Sequence, residues 1–396
     1  MSFNSDSRAY NQRRTKKICM MTVSHPVKYS RFWDREARSL HQGGYQVTLI
    51  GLGNEFKIEF IDGIKTIAVP ERKRWHKFAL VKEIAQLAFQ EHADVYQCLD
   101  PWCLAIGLWL KRFSRPIHIV YESSEWFPQT YLDRRDFPLV LRWLSWSLVS
   151  YLEYTACCRA EAIIETNYAR AHRFSRRGRI PIQVPNYPPV ELIGAPEQNR
   201  NPWFVYTGLI CRPRGFHQLL KALALVVKQG FYQVKLIVRG EFDRRDDIER
   251  WAKGFINRNG LAENVVFVSS LPSYAEVFNI IKPCLAGLIL LQPERGNDWT
   301  NQPNKLFEFM GCGLSVIASN FPEIARIVNE TKCGWLVDPT QPEAIARAMV
   351  EVLENPAESI RRGFAGRKAV ETKYNWQIAE DSLLNTYRAI FQKTGD

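Results

Sequence analysis

"NQPNKLFEFMGCGLSVIASN" (301–320) decides how this chain reads. Three amides and a lysine stand before an apolar run that carries one glutamate; two glycines follow, and then a run that looks like a buried strand. A helix that starts after Pro303 leaves its first backbone N–H groups without intrahelical partners. Such a helix start, at the C-terminal edge of a strand, binds phosphate oxygens. Lys305 adds charge there. Glu308, one turn in, is placed to accept hydroxyl hydrogen bonds such as those of a ribose. Gly311 and Gly313 suit close packing of helix on sheet. The competing explanation is a local surface pair of Lys305 and Glu308, with glycines that merely cap the helix.

A second stretch has the same logic. "YTGLICRPRGFHQLL" (206–220) ends a strand at Gly208, then places Arg212 and Arg214 before Gly215 and a helix. Arginines at that place suit a diphosphate; the alternative is a solvated basic loop. Two such loops on one edge of one sheet argue more strongly than either alone.

Around them the chain alternates strand and helix with short connections, which predicts parallel sheets. Strands are expected at 16–24, 45–53 and 117–124, with helices at 31–44 and over a tryptophan-rich region at 137–160. Proline-rich Pro188–Pro202 reads as the link. A second series follows: strands at 203–210 and 232–240, a charged helix near 244–259, the opening stretch, and two helices to the end. The expected fold class is α/β, with two doubly wound domains. The expected division is a disordered basic tail at 1–15, a first domain at 16–190, a linker at 191–202, a second domain at 203–372, and a C-terminal helix at 373–396 that packs back on the first domain.

The 396 residues exceed one ordinary core. A net charge of +12 narrows the partners to something anionic: nucleic acid, a lipid surface or a phosphorylated ligand. No finger, helix-turn-helix or single-strand-binding motif is present, so nucleic-acid binding is only an alternative function and nucleic acid is not an expected partner. Nine cysteines without regular spacing fit a reducing compartment, and hence the cytoplasm. The N-terminus lacks the apolar core of a signal peptide, and no run approaches a membrane span. Four basic runs, "RRTKK" (13–17), "ERKRWHK" (71–77), "KRFSR" (111–115) and "HRFSRRGR" (172–179), lie in the first half, with "LRWLSWSLVSYLEY" (141–154) between the last two. Together they suggest an anionic membrane surface.

From Pro303 to the end, and over "YTGLICRPRGFHQLLKAL", the chain resembles retaining glycosyltransferase family 4, which contains bacterial polysaccharide and lipopolysaccharide transferases. "HPVKYSRFWDREARSLHQGGYQVTLIG" and "VPNYPP" also resemble family segments. The resemblance implies a GT-B fold, two Rossmann-like domains facing each other across a cleft. It implies a hexosyl-type transferase (EC 2.4) that moves sugar from a UDP- or GDP-sugar to a lipid-linked or saccharide acceptor, with retention and without a metal or other cofactor. It would work in polysaccharide biosynthesis at the cell envelope, as a peripheral protein on the inner face of the plasma membrane.

By that resemblance Glu308 binds the ribose and Arg214 the diphosphate, with Arg212 as a second contact. Gly208, Asn304, Lys305, and the backbone of Leu306 and Phe307 complete the donor site. Arg214, Lys305 and Glu125 are the expected catalytic residues, and Asp100, Ser124 and Glu125 lie on the acceptor side. Glu323 matches an often acidic position. Three positions depart from the pattern: Thr300 where the family has a first glutamate, eight before Glu308, and Ser124 and Gln97 where histidines are common. Thr300 and Ser124 motivate the other alternative, a catalytically weak GT-B scaffold or partner subunit.

Overall fold

The structure, a computed structural model, describes residues 15–72, 77–113, 116–133, 137–244, 246–268, 274–294, 299–300 and 302–393. The expected basic tail thus falls almost wholly outside the described residues, as do the centre of the 71–77 run and the end of the 111–115 run.

Eight strands form one sheet: β1 (Lys17–Pro26), β2 (Gln46–Gly53), β3 (Lys57–Ile61), β4 (Ile64–Pro70), β5 (Val95–Cys98), β6 (His118–Ser123), β7 (Ala162–Glu165) and β8 (Ile182–Gln183). Their spatial order is β3-β4-β2-β1-β5-β6-β7-β8. Neighbours pair in parallel around β1, β2, β4, β5 and β6, and β7 pairs in parallel with β8, while β3 runs antiparallel to β4. The connecting helices are α1 (Arg38–Gln42), α2 (Lys77–Glu91), α3 (Pro101–Phe113), α4 (Phe127–Leu132), α5 (Leu139–Arg159), α6 (Tyr168–Ser175) and α7 (Val190–Ile193).

The second sheet is wholly parallel. It orders β9 (Asn201–Thr207), β10 (Lys235–Arg239), β11 (Val265–Val268), β12 (Cys284–Ile289), β13 (Ser315–Ser319) and β14 (Gly334–Val337) as β11-β10-β9-β12-β13-β14. Its helices are α8 (Phe216–Lys228), α9 (Ile248–Arg258), α10 (Tyr274–Ile281), α11 (Asn304–Gly311), α12 (Pro322–Thr331), α13 (Pro342–Glu354), α14 (Pro356–Thr372) and α15 (Trp376–Lys393).

The chain divides into two compact units. One takes the residues up to Glu122, Cys158–Ile163 and the end from Tyr387; the other takes Ser123–Cys157 and Ile164–Thr386.

The second sheet is covered on both faces, so its strands are apolar on both sides. Alternation along β9 sends Phe204 and Tyr206 into the layer of α8, α9 and α13, and Val205 into the layer of α10, α11 and α12. α8 buries Phe216, Leu219, Leu220, Leu223 and Val226, the spacing of one helical face. α11 lies close on β12 because position 287 is glycine: a Cβ there would fall 2.2 Å from the Phe309 ring. Its last carbonyls are held by arginines, Gly311 by Arg367 and Cys312 by Arg200 at 3.1 Å. Cations there also oppose the negative end of the helix dipole.

The other unit has a buried polar centre. Arg31 donates from Nε to Glu122 at 2.6 Å and pairs with Glu36 at 2.8 Å. The Gln97 amide donates to both carboxylates, at 2.8 and 2.7 Å, and the Tyr387 hydroxyl donates to Gln97 Oε1 at 2.7 Å. Burial pushes the Glu36 carboxyl well above its ordinary range, against the pull of Arg31.

Several elements differ from expectation. The helix expected at 31–44 is a π-helix over Arg31–Ala37 that continues as α1. β3, α4, α6 and α12 are additional, and three helices rather than two close the chain, because Pro356 starts a new helix beside Asn355. The expected linker contains α7, and its last two residues already belong to β9.

Candidate functional site

The C-terminal edge of the second sheet gathers the residues singled out around Gly208 and Lys305. β9 is followed by Gly208 (φ +104°), whose missing Cβ would lie 2.9 Å from Arg214 Nη1. A 3-10 turn over Arg212–Arg214 leads to Gly215, at φ +77°. A side chain at 215 would strike the Leu290 carbonyl at 2.0 Å, so glycine is required for the turn to meet β12's edge.

Lys305, in the first turn of α11, is 7% exposed and its Nζ makes no hydrogen bond among the described residues. The ammonium lies 4.4 Å from the centre of the Tyr206 ring. Burial, then the nearby Arg214 charge, lower its pKa to about 7. Pro303 occupies the N-cap of α11 and offers no side-chain hydrogen bond to that helix start. The N–H of Leu306 bonds the Pro303 carbonyl at 2.9 Å. Phe307 is buried beneath the site against Tyr187 and Tyr374, and Asn304 is half-buried at the first helical position.

Glu308 is 9% exposed and accepts a 2.8 Å hydrogen bond from the Tyr274 hydroxyl of α10. One carboxylate oxygen is thereby fixed. Arg212 instead turns to acids on its own side, Asp246 at 3.3 Å and Asp247 at 2.8 Å. Glu323, at the start of α12, accepts from Gln302 at 2.7 Å and from Arg326 at 3.2 Å.

The loop after β6 belongs to the same unit. The Ser124 carbonyl accepts from Thr166 and Arg170, and the Glu125 carbonyl from Ser123 and Arg173. Glu165 and Glu153, both buried, neutralise these arginines. The Glu125 side chain is exposed and its carboxylate accepts from Thr130 at 3.4 Å. Asn167 caps α6 through Oδ1 and donates its amide N–H to the Thr300 carbonyl, which pins the backbone eight residues before Glu308.

Asp100 belongs to the other unit. It accepts from Thr22, Val23 and Cys103, so it caps α3 and ties it to β1. Gln97 is the hub of the buried centre described above. Among the described residues no group of three or more His, Cys, Asp or Glu is arranged to hold a metal ion, and no helix is long and apolar enough to cross a membrane.

Tyr206, Tyr274 and Asn167 are the residues that sequence reasoning missed. Tyr206 lay inside a quoted motif and its strand alternation was legible; the other two act through contacts remote in sequence.

One sheet parallel except for its edge strand β3, and a second that is wholly parallel, make the GT-B fold. Sucrose-phosphate synthase from Thermosynechococcus elongatus superposes with a TM-score of 0.73 over 96% of this chain and 100% of that one, at 16% identity. HepE of Anabaena, solved with UDP and glucose, gives 0.69 over 94% and 99%, also at 16% identity.

Residues 201–355 match the family described as "Glycosyl transferases group 1", so the chain carries a domain of that family. Among curated proteins it is similar to the capsular polysaccharide biosynthesis glycosyltransferase CapM of Staphylococcus aureus, 25% identical over 48% of this chain and 46% of that protein. It is also similar to the phosphatidyl-myo-inositol mannosyltransferase of Mycobacterium tuberculosis, 26% identical over 58% and 59%. The chain spans about half the length of the curated relatives it matches.

Proposed function

We propose that this protein transfers a sugar from a nucleotide-diphosphate sugar, with UDP or GDP as the nucleotide, to a lipid-linked or saccharide acceptor. One observation carries the reading: Lys305 holds a buried ammonium without a hydrogen-bond partner among the described residues, beside Arg214 and at a helix start whose N-cap is proline. A diphosphate would give that ammonium its missing acceptors. As the bond from the anomeric carbon to the diphosphate breaks, negative charge grows on the leaving oxygen. Lys305, Arg214 and the α11 N–H groups are placed to stabilise it. The bonding pair leaves with the diphosphate, the acceptor oxygen bonds the anomeric carbon, and the acceptor proton ends on the nucleotide product or on solvent. Glu308 would hold the ribose, with Tyr274 fixing its carboxylate.

Retention, a hexosyl donor and Glu125 on the acceptor side follow from the family resemblance. The names of the similar proteins support a saccharide or lipid acceptor and a part in polysaccharide assembly; the basic runs of the first half are the support for a place at the cytoplasmic face of an anionic membrane. Thr300 and Ser124 favour a second reading, a scaffold of weak activity. A panel of UDP- and GDP-sugars, assayed for nucleoside diphosphate release and for product anomer, tests both. Donor-specific release with a retained anomer is expected. Tight nucleotide binding without turnover favours the scaffold, and no binding of either nucleotide overturns both.

A further inference from the structure

We propose that the outward face of α5 lies in the headgroup layer of an anionic bilayer. The inference deepens the membrane part of the function proposed above, and it rests on an observation of its own.

α5 buries Val149, Glu153, Ala156 and Cys157 on one side. The opposite side carries Val140, Trp143, Leu144, Leu148, Tyr151 and Tyr154, each 51–70% exposed. Their spacing follows helix periodicity, so they form one continuous stripe over four turns. An exposed apolar stripe of that length is unusual on a protein that works in water alone.

Charge selects the occupant. Glu153 is the one acid within Leu139–Arg159, and it is 1% exposed, drawn under the helix by Arg173 at 3.3 Å and Arg177 at 4.0 Å. Those two pairs set the turn after α6 alongside α5. There Arg176 is exposed, and Ile180 is 84% exposed. Among the described residues of α5 the outward face is therefore apolar and carries no acid, with the exposed Arg159 and Arg176 at its rim. Trp143, Tyr151 and Tyr154 have the amphipathic rings that settle at headgroup level, and exposed basic side chains favour anionic lipid.

Other occupants fit less well. A second copy would set the same basic rim against itself. A nucleic acid would take the charges and leave the apolar side chains in water. The stripe lies on one outward helix, and a peptide that docks by its apolar face needs a groove.

The test uses the full chain and two vesicle types, phosphatidylcholine alone and phosphatidylcholine with roughly 30% phosphatidylglycerol. Cys158 lies on the same stripe and is the exposed thiol among nine, the other eight being buried. It takes an environment-sensitive dye. The dye should shift to the blue with anionic vesicles and much less with neutral ones. The double variant Leu144→Glu, Tyr151→Glu should lose co-sedimentation by about tenfold or more, with an unchanged melting temperature. Equal sedimentation of variant and wild type overturns the proposal, as does an unshifted dye. A concentration-dependent dimer that the variant abolishes, without vesicle binding by wild type, overturns it in favour of a second copy. Nucleoside diphosphate affinity, measured without lipid, should be the same in both proteins. Its absence from wild type would sink the donor reading and leave the result for α5 standing.

Discussion

Lys305 places its ammonium over the ring of Tyr206, 4.4 Å from the centroid, with no hydrogen-bond acceptor among the described residues. Its pKa of about 7 then links donor binding to protons. At pH 8 most of the free protein carries Lys305 neutral, so a bound diphosphate should draw in up to about 0.9 proton. Calorimetry in two buffers of different ionisation enthalpy reads this directly. Binding without proton uptake at pH 8 would show that Lys305 does not meet the diphosphate.

The same lysine has a pH signature in stability. Its folded pKa lies below the ordinary 10.5, so the unfolded chain binds the proton more tightly between about 7 and 10.5. The destabilising contribution is complete below pH 7 and fades as pH rises through that window. Lys305→Met should therefore stabilise the free protein most below pH 7, with the gain shrinking towards pH 9. Urea titrations at three pH values check the trend, and a gain independent of pH would refute it.

Arg214 stands between Gly208 and Gly215 with its guanidinium beside the strand end. Arg214→Ala should lower transfer about a hundredfold, the scale of one lost charge-stabilising contact. Turnover near wild type at limiting donor contradicts the assignment.

Tyr274 and Glu308 share a 2.8 Å hydrogen bond. Glu308→Gln should weaken nucleotide binding with little change in melting temperature. Tyr274→Phe leaves the carboxylate in place but unfixed, so about a three- to tenfold loss of affinity is expected. Titration with UDP and GDP measures both, and unchanged affinity in the Glu308 variant removes it from the site.

Arg31 sits between Glu36 and Glu122, all three buried. Arg31→Met leaves two carboxylates without their cation and should cost about 3–5 kcal/mol. Tyr387→Phe, which removes one neutral hydrogen bond to Gln97, should cost about 1 kcal/mol. Denaturant titration orders the two, and a reversed order would show that the charges are compensated elsewhere.

What the sequence disclosed follows from the range of the forces involved. The strand–helix alternation, the helix after Pro303 and the turn before Gly215 are written in local periodicity and in glycine and proline positions. Lys305 and Glu308 stand in one helix, so their nearness is legible from spacing alone. The ring beneath Lys305 comes from a strand about a hundred residues earlier, and Tyr274 reaches Glu308 from another helix. Gln97 was read as a departure from a histidine; its hold on Glu36, Glu122 and Tyr387 spans 290 residues at the longest reach. β3 escaped because "KIEFI" is short and mostly solvent-facing at an edge. The length of α5 was legible, but which side of it stays in water depends on what packs behind it.

The partnership of Tyr387 with Gln97 has a consequence for the order of synthesis. Tyr45 packs on Tyr387 and Phe391, at 5.9 and 5.6 Å between ring centroids, so the unit that holds Gln97 is closed by residues made after the second sheet. A ribosome finishes the second sheet before it supplies that closing piece. Until then Gln97 lacks the hydroxyl that caps its carbonyl, in a pocket that already holds two carboxylates. Of the two units, the one begun earlier on the ribosome is therefore completed after the other. A chain cut just before Tyr387 would show its defect at Gln97, 290 residues away.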